Sequence, residues 1–534
     1  MNLLEELNFT FALAPVVLMA GAALWVWRGR VPVLTRWRRF NALTLVALFF
    51  SLLGLLLPLA LMPSGRMAGS PDLGGWLAVN PFGAWISLLV QLLGAAIGLY
   101  SANHLKGEPR QAVYITALGA VLAAVHLLLL ANHWVVLIAA WAAIGHAMHY
   151  LLCFYEDRPF ALLAAHKKRV TDRAADVLLV FAALLAGSQT GSGSLSALWA
   201  HIAAGHASAE LAWSGVCLTL AVIARTALMP VHGWLVQVME APTPVSALLH
   251  AGVVNLGGYV LVLFAPLLGV SLAARWLLVA FGLVSATVAG LVLLTRVSQK
   301  VHLAWSTIAQ MGFMLLECGL GLYLFAALHL LGHSLYKAHN FLNASSAVRD
   351  CERKLMTGEA QNSGLSMLLA VPLALIIVFA LQAAIGNPAW PWWWSAVLAL
   401  AWAPLLWVPK TGAAGHGATV FARLLTAGAM ALGLTLMAGI MDHAPLGVRN
   451  DPLADAGIVV LIGMSLMYLG TVAFQLRPQS VVAVRRWVYA GFYMDEGYTY
   501  WVLRVWPASW AGAGGADAPA AWHAHEPACE GAGS

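Results

Sequence analysis

The chain has 534 residues, 61% of them hydrophobic and only 9% charged, with a mean hydropathy of +0.81. Soluble domains carry about a quarter of their residues as charges, so this composition excludes a water-soluble globular protein and marks a membrane protein. The net charge of +6 is no nucleic-acid footprint, because the basic residues fall in separate loops rather than in one patch.

Apolar segments of about 18–23 residues, each long enough to cross some 30 Å of hydrocarbon as a helix, recur along nearly the whole chain. About fifteen are predicted, at 6–27, 41–62, 82–101, 112–131, 133–155, 174–190, 209–229, 242–264, 272–295, 301–320, 321–342, 364–385, 392–409, 418–441 and 457–475. The first is long and is followed by arginines, as expected of a membrane span rather than a cleavable signal. Cations follow the odd-numbered spans: Arg28 to Arg39, Lys106 and Arg110, His166 to Arg169 with Arg173, Arg296 and Lys300, Arg349 to Lys354, Lys410, and Arg477 to Arg486. The positive-inside rule then places these loops, including 156–173 and 343–363, in the cytoplasm of a bacterial inner membrane and the amino terminus outside. Residues 511–534 are rich in Ala and Gly and read as a disordered tail.

Ionisable groups inside such a membrane demand an explanation. In the fifth span His146 and His149 are auxiliary candidates, and at the start of the sixth Arg173 and Asp176 lie one turn apart, as an ion pair or as snorkelling groups. The densest stretch, ARTALMPVHGWLVQVMEAPTPVSALLH, holds Arg225, His232, Glu240 and His250 among Pro230, Pro242 and Pro244. Three prolines break or kink a helix, and freed carbonyls at membrane depth must line a protein-enclosed or wet cavity. Arg225 and Glu240 suit interfacial helix caps equally well. Lys300 opens the tenth span, and in the eleventh His329, His333 and Lys337 recur every four residues along one helix face, a stripe able to hand protons on. Cys153, Cys217, Cys318, Cys351 and Cys529 show no metal or disulfide spacing, and the chain has no Walker A loop, dinucleotide fingerprint or haem pair. No cofactor and no metal are expected in this chain, nor an enzyme activity of its own.

The block PVHGWLVQVMEAPTPVSALLHAGVVNLGGYVLVL resembles the signature of the proton-translocating, antiporter-like membrane subunits. That superfamily includes the distal subunit of respiratory complex I, the large subunits of Mrp-type cation/proton antiporters, and DabB-type membrane subunits of two-component inorganic carbon transporters. KKRVTDRAADVLLVF, KVHLAWSTIAQMGFM, FAALHLLGHSLYKAHNFLNASSAV and YAGFYMDEGYTYWVLRVWP resemble further family segments in the same order. The resemblance implies an all-α polytopic fold of about 14–15 transmembrane helices, with two inverted five-helix repeats and broken helices. It divides the chain into N-terminal helices (1–110), a first repeat (111–264), a second repeat (265–441), C-terminal helices (442–510) and the tail. It also implies an ion path through Asp176, Arg225, His250, a central Lys300, His329, His333 and Lys337, with Lys410 the candidate for the second broken helix. Two positions depart from the family pattern. Trp141-Ala142 stands where Trp-Glu is usual, and Arg225 where lysine is usual. The implied function is the membrane subunit of an inorganic carbon uptake complex, conducting protons or another cation to energise a DabA-like partner, a zinc protein resembling carbonic anhydrase. The alternatives are an ion-pumping subunit of a redox or antiporter complex, and a non-conducting scaffold.

Overall fold

Each of the fifteen apolar segments coincides with helix in the computed structural model, which describes residues 3–28, 31–61, 74–344, 362–385, 390–408, 417–441, 446–477 and 482–508. The helices are α1 (Leu3–Arg28), α2 (Val33–Leu61), α3 (Pro81–His104), α4 (Gln111–Leu129), α5 (Trp134–Leu152), α6 (Pro159–Thr190), α7 (Leu195–Ala203) and α8 (Ala209–Arg225). A broken stretch follows: α9 (Gly233–Gln237), a 3-10 turn (Val238–Glu240), α10 (Thr243–Leu248), a π turn (Leu249–Val253), α11 (Leu256–Leu263) and α12 (Ala265–Val270). Beyond it lie α13 (Leu272–Leu293), α14 (Gln299–Gly319), α15 (Tyr323–Leu342), α16 (Gly364–Ile385), α17 (Trp392–Trp402), α18 (Gly417–Met441), α19 (Ala454–Leu476), α20 (Val482–Tyr489) and α21 (Met494–Val505). Among the described residues nine helical segments are long and apolar enough to cross a membrane. Others fall short of that measure for a physical reason: α6, α14 and α15 give part of their length to Lys, Asp, Glu and His.

Burial locates the centre of the bundle. The Thr243–Leu263 segment is 94% buried over its most apolar window, against 17% for α19. An interrupted backbone exposes amide and carbonyl groups that lipid cannot satisfy, so it must be wrapped in protein. The wrapping helices are α3, α8, α14 and α15. Asn80 shows how the wrap is fastened: it caps α3 at Gly83 N and donates to Tyr259 Oη of α11 at 3.0 Å.

The helix pair α13 and α14 meets backbone to backbone. A side chain at Gly312 would place its first carbon 2.8 Å from the Gly282 carbonyl oxygen and 2.7 Å from Ala286 N. Such contacts let helices approach closely where lipid supplies no hydrophobic drive between them.

The loop reading of 156–173 is corrected, and the break at the prolines is located. Residues 159–173 are not a loop; they are the first half of α6, whose 32 residues at 1.5 Å each span about 48 Å, well beyond the hydrocarbon thickness. Lys167 and Lys168 are buried on that helix because both are paired with carboxylates. Pro242 and Pro244 do not kink a helix from within but begin α10, Pro242 as its cap and Pro244 in its first turn, where a missing N–H costs nothing. The interruption beside His250 is instead a π turn closed by Val254 N on the Leu249 carbonyl at 3.1 Å. Lys410, most of 343–363 and the tail 511–534 lie outside the described residues.

Gly312→Leu is expected to abolish accumulation of folded protein in membranes, whereas Gly332→Ala on α15, with nothing within 4 Å of the added carbon, leaves it unchanged. Fluorescence-detected size exclusion of the two variants checks this.

Candidate functional site

The π turn brings His250 against α14 and α15, and the helix period of each supplies its partners. On α14 the positions Leu303, Ser306 and Thr307 share a face; on α15 His329, His333 and Lys337 do. Lys337 Nζ, on a side chain with no solvent exposure, donates to the Leu303 carbonyl at 3.1 Å and to Ser306 Oγ at 2.8 Å. Among the described residues no carboxylate pairs with it. Both acceptors are uncharged oxygens, a backbone carbonyl and a hydroxyl.

His250 is oriented by the same carbonyl. Thr307 Oγ1 donates to the Leu303 carbonyl at 3.0 Å, so at 3.0 Å from His250 Nδ1 it accepts and the imidazole donates. That fixes the proton on Nδ1 and leaves Nε2 as a bare acceptor with no protein partner. Phe341 stacks on the ring at 4.6 Å and holds its plane. His333 lies within electrostatic reach of Lys337, His329 and His250, and neither of its ring nitrogens has a protein partner. Buried polar atoms left this way are sites for water. His329 follows, 6.0 Å from His333 between ring centroids, and its Nδ1 meets Glu317 Oε2 at 2.9 Å. The result is a buried row: Lys337, His250, His333, His329, Glu317. Such a row can relay protons through water, because adjacent members include free acceptors and a neutral-competent amine.

Glu317 is a member that sequence reasoning missed. The signal was present, since a carboxylate inside the apolar run MLLECGL is expensive in lipid unless used.

A second charged group sits between α5, α6 and α8. Asp176 pairs with Arg225 and, at 3.4 Å, with Arg173. Arg225 also donates to the Trp141 carbonyl at 3.0 Å and lies over the Trp141 ring at 4.8 Å. Next to it, Lys168 pairs with Asp172. A cavity of about 30 Å³ lined by Ala142, His146, His149, Lys168, Asp172 and Asp176 has room for roughly one water. Ala142 brings only a methyl group to that cavity, and Asp176 of α6 is one of the carboxylates lining it. His149 contacts Arg169 and sits 3.7 Å from Cys153 Sγ.

The remaining predicted residues lie elsewhere. Lys300 is half-buried in the first turn of α14 and is not among the hydrogen-bonded members of the row, which ends at Lys337. Glu240, in the 3-10 turn, makes a half-exposed 3.5 Å pair with Arg158. His232 is buried with its ring 5.1 Å from that of Trp305, and Pro230 lies in the turn between α8 and α9. Among the described residues no three His, Cys, Asp or Glu side chains gather as a metal site.

Breaking one member of a buried ion pair strands the other charge, so Arg225→Met or Asp176→Asn alone is expected to destabilise the protein by about 3 kcal/mol. The double variant recovers at least about 1 kcal/mol of the summed loss, read as Tm in detergent.

Residues 131–422 match the family described as NADH:quinone oxidoreductase/Mrp antiporter, TM. Over 487 residues the chain is 34% identical to the probable inorganic carbon transporter subunit DabB of Hydrogenovibrio crunogenus, covering 88% of this chain and 90% of that protein. Over 284 residues it is 32% identical to NADH-quinone oxidoreductase subunit L of Mycobacterium tuberculosis, covering 53% of this chain and 45% of that one. In fold it is similar to the Mrp complex from Dietzia sp. DQ12-45-1b, with a TM-score of 0.53 and 21% identity over 94% of this chain and 55% of that chain. It is also similar to the archaeal membrane-bound sulfane sulfur reductase, with a TM-score of 0.52 and 18% identity over 87% of this chain and 75% of the other. At such identities the two structures speak for the fold alone. A broken helix enclosed by protein, a buried titratable row and these matches have one conclusion: the chain belongs to the NADH:quinone oxidoreductase/Mrp antiporter membrane-subunit family, as an antiporter-like, ion-translocating multi-pass subunit that is not an enzyme in itself.

Proposed function

We propose that the chain is the membrane subunit of an inorganic carbon uptake complex in a bacterial inner membrane, and that protons run down their gradient through the row from Glu317 to Lys337. The observation that carries the reading is the row itself, together with similarity along 88% of the chain to a subunit named DabB. The cations of alternate loops support an amino terminus outside and the Lys300 end of the bundle in the cytoplasm. A proton then arrives at the Glu317 and His329 pair, passes to His333 through water, and protonates His250 at Nε2 or the amine of Lys337. Release toward the Lys300 end returns Lys337 to its two-acceptor neutral state. Arg225 stays charged throughout and, bound to Asp176, acts as a fixed field beside the path.

The energy of that flow serves a soluble, DabA-like partner, a zinc protein resembling carbonic anhydrase that hydrates carbon dioxide. In this division of labour the zinc belongs to the partner, and this chain supplies anchor and ion path. A redox-driven pump is the second reading, favoured by the similarity to subunit L across 53% of this chain.

Carbonic-anhydrase-deficient cells expressing this chain with its partner are expected to accumulate inorganic carbon and to lose that ability on addition of a protonophore. Lys337→Ala is expected to cut accumulation by at least about tenfold while the complex still assembles. Rescue that ignores the protonophore, or full uptake with Lys337→Ala, rules the reading out.

A further inference from the structure

The late segment YAGFYMDEGYTYW takes no part in the row, yet it is built with evident constraint. Between α20 and α21 three consecutive residues are left-handed, Gly491 at φ 60°, Phe492 at 58° and Tyr493 at 55°. Glycine adopts this region freely, but bulky aromatic residues hold it only where their surroundings compel them.

What this strained turn delivers is Asp495. One carboxylate oxygen receives Lys167 Nζ of α6, and the other receives Gln237 Nε2 at 3.0 Å. Thr499, one turn on, also accepts from Lys167 at 2.9 Å. The carboxylate rests on Gly233 at the start of α9, where any Cβ would occupy its space. The Lys167 side chain is wholly buried while that of Asp495 keeps 29% of its surface in solvent, so the pair bridges water and interior. His232, 1% exposed, lies within reach of both charges. Among the described residues its Nδ1 and the neighbouring Gln237 Oε1 are buried without a hydrogen-bond partner, and the Pro230 backbone lies close to the ring; buried polar atoms of this kind are ones that water can serve. The His232 ring abuts Trp305, on the same turns of α14 as the Leu303, Ser306 and Thr307 groups that hold Lys337 and His250.

We propose that Asp495, carried in by the C-terminal helix, is the proton-exchange station between solvent and the ion path at the Lys300 end, communicating through water with Nδ1 of His232. The inference rests on the proton reading given above. Each step is a proton transfer alone: the carboxylate takes a proton from one neighbour and yields it to the next, and Lys167 remains the countercharge. The titratable and charged groups facing it are Lys167 of α6, His232 of the broken stretch, and Glu496 and Tyr498 of its own helix, with Asp172 beyond Tyr498.

The test uses inverted membrane vesicles holding the full chain and its partner, an imposed gradient and a pH-sensitive dye. Asp495→Asn keeps the shape and an acceptor for Lys167 but cannot be protonated, and is expected to lower proton flux at least about tenfold. Thr499→Val removes a neutral contact to the same lysine and is expected to keep flux within about twofold. Asp495→Glu conducts, with the acid limb of its pH profile moved upward by about 0.4 unit, the difference between the two carboxyl groups. If Asp495→Asn fails to accumulate, the Asp495→Glu profile carries the test. An unaltered flux in Asp495→Asn, an unmoved profile in Asp495→Glu, or equal losses of flux and thermal stability in Asp495→Asn and Thr499→Val overturn the station and leave α21 a mere fastening. A wild-type chain that carries no protons overturns the proton reading and this inference with it; wild-type flux with an indifferent Asp495→Asn overturns this inference alone.

Discussion

Hydrocarbon offers no hydrogen bonds, so a backbone interrupted at membrane depth has to be enclosed by protein that does. The stretch from Thr226 to Leu263 imposes that demand here. Around it α3, α8, α14 and α15 form a sleeve, and polar side chains meet the loosened backbone. Asn255 is representative, closing on the Ala251 carbonyl at 2.9 Å and on Ser334 Oγ at 2.7 Å. The enclosure that makes the break affordable in lipid also gathers His250, Lys337 and His333 into one buried neighbourhood.

The bundle holds its buried ionisable groups in two ways. Between α5, α6 and α8, Arg225 is paired with Asp176 and anchored further by the Trp141 carbonyl. Lys337 has hydrogen-bond acceptors and no countercharge among the described residues.

The C-terminal helices tie this arrangement to the surface. α21 packs against the broken stretch and is held by Lys167, Thr171 and Gln237, while the Trp506 carbonyl accepts from His166 Nε2 at 2.8 Å. Aromatic residues on its outer side, Tyr500, Trp501 and Trp506, remain exposed, as befits a segment at the boundary of lipid and water. Segments more than 300 residues apart in sequence thus meet at α21.

The sequence by itself determined the periodic features: apolar length, the alternation of cations, and the His329, His333, Lys337 stripe, because each depends only on neighbours within one helix. It also marked Pro230, Pro242 and Pro244 as a place where helix could not simply continue. What it could not decide were pairings. Lys167 and Lys168 read as loop cations until Asp495, 328 positions away, and Asp172 are seen beside them. Arg225 finds Asp176 across 49 positions, and Glu317 is brought to His329 only by the turn between α14 and α15. Whether a charge is solvated, paired or left bare in a membrane is a matter of which helices enclose it, and that enclosure is settled by packing across the whole chain.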